Sequence, residues 1–127
     1  MKRLLLDTHV ILWWLNGGEN LKSSVRDLLS DVGNQIYFSA ASVWEISIKK
    51  GLGKLDVPEN VLELIDESGF DELAISSFHA FEAGALLTEH KDPFDRMLIA
   101  QAQAEGLILI THDKLIHKQG VRCLDPI

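Results

Sequence analysis

The chain has 127 residues, 46% hydrophobic and 24% charged, which fits one ordinary domain with a single core and argues against wholesale disorder. Its net charge of -7 argues against a general nucleic-acid-binding surface, which would be basic, but not against a nuclease whose acids gather at one centre. The longest apolar run, Val10 to Leu15, has six residues, too few to cross a bilayer, and the single Cys123 has no partner for an internal disulfide; both fit a reducing cytoplasm.

Residues 3–7 read as a short buried strand, because Leu4-Leu5-Leu6 is apolar and Asp7 ends the run too early for a secretory leader. Thr8 is placed to cap a helix from about His9 to Leu15, stopped by Asn16-Gly17-Gly18. A second helix spans about Lys22 to Asp31, with Val25, Leu28 and Leu29 at helical spacing, and ends at Gly33-Asn34. Ile36-Tyr37-Phe38 supplies the second strand, and Ser39 caps a helix over Ala40 to Lys50 in which Glu45 and Lys49 pair at i, i+4. Pro58 sits in the first turn of a helix carrying Val61, Leu62 and Ile65 and closed by Gly69. Phe70 to Ile75 reads as a third strand interrupted by Asp71 and Glu72, and Ser76 or Ser77 opens a helix reaching about Leu87. Asp92-Pro93 opens a longer helix through Glu105, stopped by Gly106. Leu107 to Thr111 and Val121 to Leu124 complete the strands, with Cys123 an apolar residue buried in the last. The order β-α-α-β-α-α-β-α-α-β-α-β predicts an α/β fold: three layers, α/β/α, around a four- to five-stranded, mainly parallel sheet, in a single domain over residues 1–127.

Four acids stand where a strand ends or a helix begins: Asp7, Glu45, Asp95 and Asp113. In an open α/β sheet such positions converge on the carboxyl edge, where ligands bind. Carboxylates held together repel by roughly 1 to 4 kcal/mol per close pair, so a fold that gathers four points to a cation, and Mg²⁺ or Mn²⁺ suits an all-oxygen site. Each acid also has a local explanation. Asp7 suits a helix N-terminus, Asp95 is the N3 acid of a capping box with Asp92 as N-cap and Pro93 at N1, Glu45 pairs with Lys49, and Asp113 suits a turn. Among the bases, Lys49 and Arg96 lie within a turn of a proposed ligand, and Arg96 either grips a phosphate bidentately or pairs with Asp92. The five histidines lack the spacing of a zinc site; His9 and His112 flank the acids, where plain hydrogen bonding explains them. The run Val10 to Leu15 is apolar all round its helix, which predicts an exposed patch and a protein interface at Ile11, Trp13, Trp14 and Leu15.

The stretches Leu5-Leu6-Asp7-Thr8-His9, Ser42-Val43-Trp44-Glu45-Ile46, Asp92-Pro93-Phe94-Asp95-Arg96-Met97-Leu98-Ile99-Ala100 and Ile110-Thr111-His112-Asp113 occur in an order that resembles the PIN-domain proteins, specifically the VapC-like toxin ribonucleases of toxin–antitoxin pairs. That resemblance spans residues 5 to 113. It implies an endoribonuclease using one or two Mg²⁺ or Mn²⁺ ions, with Asp7, Glu45 and Asp95 as the acidic core and Asp113 as the fourth member. It further implies that Thr8 and Thr111 orient carboxylates or water, that water attack leaves a 5′-phosphate, and that the partners are RNA, a cognate antitoxin and a second copy of the chain. Two other readings stay open: a PIN-like module that binds without catalysis, and a phosphatase with Asp7 as nucleophile, weakened because His9 stands where such enzymes usually carry a second Asp.

Overall fold

The computed structural model describes residues 1–127. In chain order the elements are β1 (Arg3–Leu6), α1 (Thr8–Leu15), α2 (Ser23–Ser30), β2 (Gln35–Ser39), α3 (Ala40–Gly51), α4 (Val61–Glu67), β3 (Asp71–Leu73), α5 (Ser77–Ala85), α6 (Pro93–Glu105), β4 (Ile108–Ile110), α7 (Lys114–His117) and β5 (Cys123–Leu124). This is the order that the alternation of the sequence predicts. The strands form one sheet ordered β3-β2-β1-β4-β5, parallel throughout. With β1 central, Leu5 stands opposite Tyr37 on one side and Leu109 on the other.

The two-residue period of a strand decides the layers. Leu4 and Leu6 join Val10, Ile11, Val25, Leu29 and Ile65 on one face, so α1, α2 and α4 cover it. Leu5 joins Leu98, Ile99, Ala102, Leu109 and Ile116 on the other, where α6 and α7 lie and α5 packs on α6. All three leucines are fully buried, worth about 2 kcal/mol each. α3 leaves the carboxyl end of β2 and touches both α1 and α6, bridging the two helical layers. Its first turn is tied to α6 by a buried bond: Ser39 Oγ donates to Gln101 Oε1 (2.6 Å) while accepting from the Ala41 amide (3.0 Å).

Several local expectations shift. β3 is only three residues long, because Asp71 and Glu72 are exposed on the outermost strand, where charge is tolerated and further pairing is discouraged. α4 begins at Val61 with Asn60 as its N-cap, so Pro58 lies in the preceding turn and its carbonyl accepts from the Val61 amide (3.2 Å). Cys123 is half-buried rather than buried. The apolar run of α1 is less open than its composition suggests: Val10 and Ile11 are buried, Leu12 to Leu15 are half-buried, and Trp14 packs on Phe70 at 6.0 Å between ring centroids. Ile11, fully enclosed, therefore drops out of any interface. The exposed aromatics lie elsewhere, at Trp44 in α3 and at Phe78 and Phe81 in α5. No helix is long and apolar enough to cross a membrane.

Candidate metal centre

The strand order reverses between β1 and β4, and a cavity of about 500 Å³ opens there at the carboxyl ends of these strands. Its walls carry Asp7, Glu45, Asp95 and Asp113 together with Asp92, Lys49 and His90. All four acids singled out from the sequence thus meet in one place, although each comes from a different element.

Asp7 directly follows β1 and takes the N-cap position of α1, the role expected of Thr8. The cap is loose: Oδ1 accepts from the His9 amide at 3.4 Å. Oδ2 accepts a much shorter bond from the buried Thr111 hydroxyl, at 2.6 Å. Burial pushes the Asp7 carboxyl above its ordinary range, and the Thr111 and His9 contacts offset only part of that. Thr8, released from capping, turns inward: Oγ1 donates to Glu45 Oε1 (2.6 Å) and shares a hydrogen bond with Ser42 Oγ (2.9 Å). Glu45 is buried, and its other oxygen accepts from Lys49 Nζ (2.5 Å), so the expected i, i+4 pair forms inside the site. Lys49 stays one-third exposed, with a positive charge at the rim.

Asp95 departs from the capping-box expectation. Asp92 does cap α6, accepting from the amides of Phe94 (2.9 Å) and Asp95 (3.2 Å). The Asp95 carboxyl instead turns into the cavity, with Oδ2 3.0 Å from His90 Nε2. Burial and then the charges of Asp7, Asp92, Asp113 and Glu45 push it up to about 8. Asp113 divides its oxygens. Oδ1 caps α7 through the amides of Leu115 (2.8 Å) and Ile116 (3.2 Å), while Oδ2 sits 3.1 Å from the same His90 nitrogen. Burial raises the Asp113 carboxyl, but the Ile116 amide and His90, with Leu115, outweigh it and leave the group below its ordinary value.

Two side chains depart from what their sequence neighbourhood suggests. Arg96 does not line the acidic cavity. Its guanidinium donates to four backbone carbonyls, of Ala83 (3.0 Å), His90 (2.9 Å), Gly84 (3.2 Å) and Leu86 (2.9 Å), which binds the α5–α6 loop and removes it as a phosphate ligand or a partner of Asp92. His90, conversely, is buried between Asp95 and Asp113. Nothing in its local sequence flags it, because its partners lie on α6 and beyond β4. His9 and His112 reach the cavity walls from exposed positions; His112 Nδ1 is bonded to Asp125 (3.0 Å), as a plain hydrogen-bonding role requires. Of the lysines near this edge, Lys49 alone lines the cavity, while Lys50 pairs with Glu59 (2.9 Å).

The chemistry of this donor set fits a hard divalent cation. Carboxylate oxygens dominate, and Asp95 carries a carboxyl raised by burial and by the neighbouring negative charges, the second of which a dication would offset. Asp7, Glu45, Asp95 and Asp113 are the residues that could hold it.

The architecture is that of an open, parallel α/β sheet with a carboxylate-lined cleft at its switch point. The chain belongs to the PIN-domain family, whose model matches residues 4–121. No curated protein matches it significantly in sequence. Solved structures that it resembles include DNA-bound VapBC from Salmonella typhimurium (TM-score 0.74, 20% identity, 98% of each chain covered). VapBC2 from Rickettsia felis bound to a promoter DNA fragment is similar (TM-score 0.71, 21% identity, 97% of each chain). So is a toxin–antitoxin complex from Klebsiella pneumoniae (TM-score 0.71, 20% identity, 98% of each chain). At these identities the likeness is one of fold.

Proposed function

We propose that the protein is a Mg²⁺- or Mn²⁺-dependent endoribonuclease, the toxin of a toxin–antitoxin pair, which hydrolyses RNA phosphodiester bonds with water as nucleophile. The convergence of Asp7, Glu45, Asp95 and Asp113 on one open cavity of a PIN-domain chain carries this reading. These four side chains would hold one or two ions. There the ions would supply Lewis-acid chemistry, polarising the phosphate and making water a stronger nucleophile, so that no protein nucleophile would be required. The chain's own contribution is orientation. Thr111 holds Asp7 and Thr8 holds Glu45, each through a 2.6 Å bond, and such partners fix carboxylate direction in a site of this kind. Lys49, at the rim and bound to Glu45, meets a phosphate of the RNA, leaving the interior acids to the ion. The product carries the 5′-phosphate.

The partners follow the same reading. An apolar groove of about 480 Å³ runs beside α1 and α4, lined by Leu12, Trp13, Leu15, Val57, Val61 and Leu64. His9 and Trp13 line both this groove and the acidic cavity, so an antitoxin segment lying here reaches the catalytic edge. The fold resemblance to chains of toxin–antitoxin complexes supports that assignment. The second copy of a homodimer meets the exposed aromatics Trp44, Phe78 and Phe81 instead. The protein acts as one domain in the cytoplasm.

The test is RNA cleavage by the wild type, Asp7→Asn and Asp95→Asn, each with Mg²⁺ and with chelator. Cleavage confined to the wild type with metal is expected. Undiminished cleavage by both variants would refute the assignment.

A further inference from the structure

The four acids alone make no choice between Mg²⁺ and a transition ion, since both accept carboxylate oxygen. The cavity also holds a nitrogen donor, which comes from neither β1, α3 nor β4 but from the α5–α6 loop. His90 Nε2 lies 3.0 Å from Asp95 Oδ2 and 3.1 Å from Asp113 Oδ2. Cis ligands of an octahedral ion with bonds of about 2.1 Å stand about 3.0 Å apart, so the nitrogen has the spacing of a cis ligand to each of the two oxygens, and all three atoms lie within 4.8 Å of one another.

The imidazole is held there by its backbone on both sides. The His90 amide donates to Thr88 Oγ1 (3.1 Å), and its carbonyl accepts from Arg96 Nη1 (2.9 Å). The same guanidinium holds Ala83, Gly84 and Leu86, so the segment from the end of α5 to His90 is fastened to the first turn of α6, next to Asp95. His9 and His112 are less suited: both are exposed, His9 stacks on Trp13, and His112 is occupied by Asp125.

We propose that His90 supplies a nitrogen ligand to the divalent ion shared by Asp95 and Asp113, and that this nitrogen shifts the site's preference from Mg²⁺ towards Mn²⁺. The proposal rests on the metal-dependent reading above and adds the residue that sets ion choice. Arg96 is then a positioning residue, acting on the ion only through the loop that carries His90.

Pulsed electron paramagnetic resonance of the Mn²⁺-loaded protein tests it directly. Wild-type protein is expected to show ¹⁴N echo modulation from a coordinated imidazole, replaced by the ¹⁵N pattern when the chain is made with ¹⁵N-histidine, a control that alters no side chain. His90→Gln is expected to lose the modulation and to bind Mn²⁺ about tenfold less selectively over Mg²⁺ in competition titrations, while still taking up the ion. Mn²⁺ uptake without nitrogen modulation in the wild type overturns the role of His90 and leaves the metal-dependent reading standing. Modulation that persists in His90→Gln assigns the nitrogen to His9 or His112 and also overturns it. Absence of specific Mn²⁺ uptake by the wild type overturns the metal-dependent reading, and this proposal with it.

Discussion

Replacing Asp95 by Asn should stabilise the metal-free protein while abolishing its activity. In the folded chain the Asp95 carboxyl is pushed up to about 8, from an ordinary 3.8. Between those values the folded state keeps a proton that the unfolded state releases, so stability falls as pH rises from 3.8 to about 8 and is flat in this respect above it. At about pH 7 the roughly 3 pH units traversed correspond to about 4 kcal/mol. The side chain is 15% exposed and faces an open cavity, so screening by solvent roughly halves this, to about 2 kcal/mol. A gain of about 2 kcal/mol raises the melting temperature by about 8 °C for a domain of this size. Thermal melts with chelator across neutral pH measure it, and the variant should lack most of the wild type's downward slope. Added Mg²⁺ should reverse the order, because only the wild type has the full ligand set to gain from it. An Asp95→Asn protein that melts at or below the wild type in chelator near neutral pH would refute this reasoning.

Three further outcomes are expected. Thr111→Val removes the 2.6 Å bond to Asp7 without changing shape, costs about 1 to 2 kcal/mol of stability in urea titration, and weakens Mn²⁺ binding in calorimetry; unchanged affinity would make Thr111 merely structural. Arg96→Lys is not conservative here, since an ammonium cannot serve four carbonyls held by a planar guanidinium; a loss of about 3 kcal/mol is expected, and a shift within about 0.5 kcal/mol would count against the clamp. Phe81→Glu, at a site 77% exposed, should leave the fold intact by circular dichroism and convert a dimer to a monomer in sedimentation; an unaltered dimer would move the interface elsewhere.

Elements built on local periodicity and local stop signals were legible in the sequence. Leu4-Leu5-Leu6 could only be a short buried strand, Ser39 caps α3 as expected, and Gly106 ends α6 in the left-handed conformation, at φ 67°, that glycine adopts without strain. The four acids were legible for the same reason, since strand ends and helix starts fix their edge of the sheet. Side-chain direction was not. Asp95 satisfies every local criterion of a capping acid, yet its carboxyl faces His90, and Thr8 turns from its own helix to Glu45 across 37 residues of sequence. The place of Arg96 is not legible in the sequence, because its partners are carbonyls, which carry no sequence signature. The apolar run of α1 is too rich for one buried face of a lone surface helix, but Phe70 packs on Trp14 and both α3 and α4 lie against α1, which leaves only Leu12, Trp13 and Leu15 along the groove.

The position of β1 at the centre of the sheet has a consequence for how the protein comes into being. Its pairing with β2 closes a loop of 32 residues, whereas the bond joining Asp7 to Thr111 spans 104. Closing the longer loop costs more entropy and must wait for β4, so the half-sheet β1–β2–β3 can collapse on the emerging chain well before the other half exists. Asp7 and Glu45 are synthesised well before Asp95 and Asp113. The cavity therefore stays incomplete on the ribosome until the segment carrying Asp95 and Asp113 has emerged.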